Sequence, residues 1–194
     1  SFVPKNNDIY NLILNFLFFE MQHAKEQQII NHIKYIFVRM IRMKGKERHH
    51  VPSEEELECI EKLIPIDLPV KFFTGNQTNI KVESYTTIRD IKVELMNRLD
   101  FNIQRAIYYS IYEICEKNSG TEERFIDDGE KVCDILSVWS TEIEKDKKKG
   151  ITSKFHFYLK LLIYYPFEKD DIDTLSVVYH QTVYDVISGK HPDL

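Results

Sequence analysis

The chain has 194 residues, 43% hydrophobic and 29% charged, enough apolar content for one large or two small packed units. Its formal charge of −5 and pI near 5.8 argue against the broad basic surface with which nucleic-acid binders displace counterions, so nucleic acid is set aside as a partner. Cys59, Cys115 and Cys133 have no metal-ligand spacing and leave an odd thiol, a pattern that fits buried small side chains in a reducing cytosol better than secretion.

The most apolar stretch, Ile9 to Met21, is too short to cross about 30 Å of hydrocarbon and is interrupted by Asn11 and Asn15, so no transmembrane segment is expected there. Ser1 to Asp8 lacks the basic region of a signal peptide. Starting without Met, the chain reads as a piece of something longer. Asp8 to Met21 is apolar nearly all round, and Ile29, Ile33, Ile36, Phe37, Met40 and Met43 recur at helical spacing, which predicts two packed helices. A basic stretch with Gly45 ends the second. Ser53 and Glu56 have the spacing of a capping box, opening a short helix with Leu57, Ile60 and Ile64 on its apolar edge before Pro65.

From Leu68 the period changes to two. Leu68, Val70 and Phe72 share a face, Thr74, Gly75 and Asn76 turn the chain, and Ile80 and Val82 return it as a hairpin. Thr87 can cap a helix with Ile88, Ile91, Leu95 and Leu99 as its inward stripe. A strand over Ile107 to Ile114, a polar loop through Gly120, a short piece at Arg124 to Ile126, and a strand over Phe155 to Tyr165 follow. Between the last two, Val132, Ile135, Leu136 and Trp139 keep helical spacing, and the charged segment Glu142 to Lys149 reads as a solvated loop. Asp170 or Asp171 can cap a final helix carrying Ile172, Leu175, Val178, Tyr179 and Val186, which stops at Ser188 and Gly189; its apolar stripe calls for a partner the chain does not contain. The fold class is α+β: a helical segment, then a mixed sheet of ubiquitin-like β-grasp order.

Four stretches now coincide, in order, with one family. Arg48 to Glu58 is basic and then proline-containing, Tyr109 to Glu113 sits in the third strand, Glu130 to Trp139 ends a helix in Trp, and Val178 to Gly189 opens a last helix. The sequence resembles the paired myosin tail homology 4 and FERM region of unconventional myosins and some kinesins. The resemblance implies three parts: residues 1–64, the last helices of the myosin tail homology 4 domain with the junction; residues 65–166, the ubiquitin-like first FERM lobe; and residues 167–194, the start of the helical second lobe. It further implies a non-catalytic region of a motor tail. Its partners would be cargo or adhesion-receptor tails, with actin reached through a motor head elsewhere in the parent, in the cytoplasm at the cytoskeleton and cell cortex. A membrane-to-cytoskeleton linker without a motor is the alternative, and a catalytic domain in the same parent a third reading.

Arg39, Arg42, Lys44, Lys46 and Arg48 are the candidate contact for microtubules or acidic partner peptides, since clustered cations steer acidic partners; they could equally cap a helix end and solvate a loop. Lys145, Lys147, Lys148 and Lys149 are the candidate contact for anionic lipid, although Glu142, Glu144 and Asp146 interrupt them. His49 and His50 are too close in sequence for one metal on a regular element, and Asp127 and Asp128 sit in a glycine-flanked turn. No phosphate loop, nucleophile elbow or zinc motif occurs, so no catalytic residue, metal or cofactor is expected.

Overall fold

The computed structural model describes residues 7–43, 48–99, 103–163 and 172–189. They gather into two compact units, each discontinuous in sequence: Ser1–Ile66 with Val82–Thr86 and Lys131–Ser140, and Asp67–Lys81 with Thr87–Glu130 and Thr141–Leu194.

In the first unit, helices α1 (Asn7–His23) and α2 (Gln27–Met43) pack through Tyr10, Leu17, Ile33 and Met40, ringed by Ile13, Leu14, Met21, Ala24 and Phe37. Tyr10 is the polar member of this apolar seam. Its hydroxyl donates to the Met40 carbonyl at 2.8 Å, so burying the ring leaves no orphaned donor. Ile29 and Ile36, expected to face inward, are exposed. Helix α3 (Glu54–Glu61) departs further from expectation. Ser53 accepts from the Glu56 amide at 3.2 Å, but Glu56 does not return the bond; its side chain is the buried one, while Leu57 and Ile64 are exposed. Only half of the capping box forms, because a buried cation claims the Glu56 carboxylate.

The sheet has the order β2-β1-β5-β3-β4, with β1 Ile66–Lys71, β2 Gln77–Val82, β3 Tyr109–Lys117, β4 Gly120–Phe125 and β5 Ser153–Leu161. The mixed pattern matches the β-grasp expectation: β1 runs parallel to β5, and β3 antiparallel to both β4 and β5. Gly75 turns the β1–β2 hairpin at φ 87°, a left-handed conformation that costs glycine nothing. Helix α4 (Ile88–Arg98) lies against β3, and its Thr87–Asp90 capping box is complete in both directions. Leu95 and Met96 are buried with Ile88 and Ile91.

Four boundaries move. Ile103–Tyr108 forms a 3-10 turn, so β3 begins at Tyr109 rather than Ile107. The polar loop shrinks to a tight turn at Gly120, and β4 takes most of it. The charged segment from Glu142 is not a loop but the second half of helix α5 (Val132–Lys148), supported by a Glu142–Lys145 pair at 2.8 Å and ended by Gly150 at φ 73°. β5 stops at Leu161, leaving Ile163 exposed; Tyr165 and the caps expected at Asp170 or Asp171 lie outside the described residues.

Helix α6 (Ile172–Ile187) contacts β5 in an unexpected way. Thr174, Gln181 and Asp185 are its buried residues, while Ile172, Leu175, Tyr179 and Val186 remain exposed. It therefore finds a partner within the chain through its polar side, and the apolar stripe stays outward.

Candidate functional site

The basic group divides by burial. Arg39 and Arg48 are turned inward, Arg42 is exposed, and Lys44 and Lys46 lie outside the described residues. Arg39 lies over the Tyr35 ring, bonds the Tyr35 carbonyl at 3.2 Å and pairs with Glu83. Arg42 donates to the Tyr85 hydroxyl.

Arg48 centres a buried network in the first unit. Its Nη1 meets Glu56 Oε1 at 2.5 Å and its Nε meets Asp134 Oδ1 at 2.5 Å, with the side chains of Arg48 and Glu56 each 2% exposed. Ser84 donates to Glu56 Oε1 at 2.6 Å, and the amides of His49 and His50 donate to the two Asp134 oxygens at 3.2 Å. Burial alone would raise the Asp134 carboxyl. The hydrogen bonds from Arg48 and from the backbone of His49 and His50 more than offset this, and its pKa lies below the usual aspartate value. One guanidinium thus bridges two carboxylates that no sequence spacing linked to it. Cys133, beside the network, is fully buried, and burial pushes its thiol well above the ordinary range. The chemistry on offer is structural: nothing in the network presents a nucleophile to solvent.

At the end of α5, Lys145 pairs with Glu142, whereas Lys147, Lys148 and Lys149 are exposed in the last turn and just beyond, where cations suit the helix dipole. Asp128 pairs with Lys92 at 2.8 Å and Asp127 accepts from the Gly129 amide at 2.8 Å, the behaviour of turn residues. Among the described residues no group of three or more His, Cys, Asp or Glu could hold a metal ion, and no helix is long and apolar enough to cross a membrane.

Sequence reasoning missed the polar anchor of α6. Lys160, 7% exposed, meets Glu123 at 2.6 Å and Asp185 at 3.3 Å, flanked by the Phe73 and Tyr112 rings. Gln181 accepts from the Leu161 amide at 2.7 Å and donates to its carbonyl at 2.9 Å, pairing with it as another strand would. A Gln and an Asp four residues apart on one helix face were the available signal.

A sheet of β-grasp order preceded by a helical segment defines an α+β fold. The chain belongs to the RA-like domain family, whose model matches residues 64–162. Its fold is that of MyTH4-FERM regions. The MF1 domain of Dictyostelium discoideum myosin VII is 21% identical with a TM-score of 0.76, covering 94% of this chain and 36% of that one. The MF2 domain of the same myosin is 16% identical with a TM-score of 0.72, covering 95% and 39%. The C-terminal MyTH4-FERM domain of human myosin 7b, solved in complex with the harmonin-a PDZ3 domain, is 16% identical with a TM-score of 0.52, covering 74% and 30%. The chain thus spans 36% of the first of these structures and a similar share of the others. No curated protein matches it in sequence.

Proposed function

We propose that the chain is a non-catalytic, partner-binding region from the tail of a cytoskeletal motor, an unconventional myosin in preference to a kinesin. The observation that carries this reading is coverage: likeness to the myosin VII MF1 domain extends over 94% of the chain, through the helices as well as the sheet. A linker without a motor is disfavoured because it would not be expected to carry those helices. Cargo or adhesion-receptor tails would be the ligands, as a PDZ domain is for human myosin 7b, at the cytoskeleton and cortex. ATP hydrolysis and actin binding would belong to a head elsewhere in the parent. Arg42, with Lys44 and Lys46, is the proposed contact for an acidic partner such as a microtubule surface, since Arg39 and Arg48 are paired with carboxylates whereas Arg42 meets the neutral Tyr85 hydroxyl.

The test is the ATPase rate of the intact parent, captured with an antibody against this chain, with actin filaments, with microtubules and with neither. Stimulation by actin is the expected outcome. Stimulation by microtubules instead would make the parent a kinesin. No ATPase in an intact parent free of autoinhibition would remove the motor and leave the linker.

A further inference from the structure

One end of the sheet in the second unit carries an open cleft of about 520 Å³, a size typical of ligand sites. Helix α4 enters it with Arg89 and Lys92, and the turn after β4 with Asp127 and Asp128. Its rim is apolar: Ile107, Phe125 and Leu162 are 68%, 46% and 42% exposed. Backbone hydrogen bonds assemble the walls. The Leu162 amide donates to the Tyr108 carbonyl at 2.6 Å and the Ile126 amide to the Ile111 carbonyl at 3.2 Å. The β3–β4 register sets Phe125 abreast of Tyr112, and their rings meet edge to face with centres 5.7 Å apart.

Ser110 lies at the floor of this cleft. Two residues before Tyr112 on β3, it shares a strand face with that ring and sits diagonally from Phe125. The residue is 1% exposed, and its Oγ has no hydrogen-bond partner among the described residues. Buried hydroxyls are paired as a rule, so an unpaired one beneath an open cleft marks the place where a ligand group completes the bonding.

The charges around it are already balanced, two cations against two carboxylates. Lys92 bonds Asp128 at 2.8 Å and the Tyr109 carbonyl at 3.2 Å, Arg89 stands 3.9 Å from Asp128, and Asp127 accepts from the Gly129 amide at 2.8 Å. A ligand with a net charge would give up hydration here without gaining an unopposed counter-charge. A wholly apolar one would leave Ser110 unpaired. The group that suits the cleft is uncharged, flat and apolar with one polar tip, which describes a phenol.

We propose that the cleft receives a tyrosine side chain of a partner protein, its ring against Phe125 and Leu162 and its hydroxyl on Ser110 Oγ. Strand β4 selects a chain over a free phenol. It is an outer strand of the sheet, and its free backbone edge leads to Phe125, so an extended segment that delivers the ring meets unpaired backbone groups on the way. The site shares no residue with the basic group around Arg42 and stands with or without a motor in the parent.

The experiment follows the backbone amide shifts of the isotope-labelled chain as it is titrated with the peptide acetyl-Gly-Gly-Tyr-Gly-Gly-amide, and with two relatives carrying phenylalanine or phosphotyrosine at the centre. The tyrosine peptide should shift the amides of Phe125, Gly129 and Leu162 and bind about fivefold more tightly than the phenylalanine peptide, the worth of one hydrogen bond. The phosphotyrosine peptide should bind more weakly than the tyrosine peptide. Ser110→Ala removes a hydroxyl that the fold leaves unpaired, so circular dichroism should stay unchanged while the preference for tyrosine over phenylalanine is lost. Four results would overturn the proposal: no shift at those amides with any peptide; a tyrosine preference that is absent from the start or that S110A retains, either of which leaves the Ser110 hydroxyl unread; tightest binding by phosphotyrosine, which makes the cleft an anion site centred on Arg89; or free p-cresol binding as tightly as the tyrosine peptide, which makes the ligand a small molecule.

Discussion

At the scale of single residues, the decisive feature is the use of arginine as an internal brace. Arg48 sits between Glu56 and Asp134, each at 2.5 Å, where removing one partner strands a buried charge. Asp134→Asn should cost about 2–4 kcal/mol near neutrality, the lower end allowing for the acceptor that Asn retains. The sign with pH follows from the depressed folded-state pKa of Asp134. The stabilisation is fully present above the unfolded aspartate value near 4 and is lost as pH falls through the folded value. The variant and the parent should converge in urea midpoint on acidification; a gap that persists unchanged to about pH 2 would mean that Asp134 acts by shape rather than by charge.

These partners were invisible in the sequence for a physical reason. Local patterns report which face of an element is apolar, and α3 inverts the rule by burying Glu56 and exposing Leu57. The spacing of Ser53 and Glu56 predicts a capping box, and the cap half formed. The other half lost to a competitor 8 residues upstream, and Ser84 and Asp134 are farther still. Of the basic group, the spacing showed five cations together but not that Glu83, Glu56 and Asp134 would meet two of them.

At the scale of elements, periodicity located the hairpin, α4 and the strand order well, because each alternates against a single core. It failed where a segment satisfies two readings. The residues from Glu142 to Lys149 are polar enough for a loop, yet they include good helix formers with an i,i+3 ion pair, and nothing breaks the helix before Gly150. Helix α6 is the opposite failure: its stripe was read correctly from the sequence, but its buried side is polar. Gln181 is the key to that side, satisfying both the amide and the carbonyl of Leu161 at the end of β5. Gln181→Ala removes both partners from a buried backbone and should destabilise the docking of α6 by about 1–3 kcal/mol. Hydrogen exchange checks this directly: the amides of α6 should lose protection while those of α4 keep theirs. Equal loss in both helices would mean that α6 and the sheet unfold as one unit.

At the scale of the whole chain, the order of elements suggests a cut after residue 64, with helices before it and a ubiquitin-like lobe after. The compact units do not follow that cut, since Val82–Thr86 and Lys131–Ser140 gather with Ser1–Ile66. The lobe defined by strand order thus lends two of its segments to the unit that holds Arg48 and Glu56. A fragment of residues 65–194 retains Asp134 and Cys133 but loses the guanidinium that neutralises the first. An uncompensated buried carboxylate costs about 3–5 kcal/mol, a large part of the 5–15 kcal/mol that typically holds a domain together. The cost is avoided by opening the segment around Asp134 to water, and Cys133 is its immediate neighbour. In the full chain that thiol is fully buried and its pKa is raised, so it should resist a disulfide reagent on the timescale of minutes. In the fragment it should react far faster, on a par with a free thiol. Equal protection of Cys133 in both would show that the lobe closes over Asp134 without Arg48, and that the sequence-order boundary is also the boundary of cooperative folding.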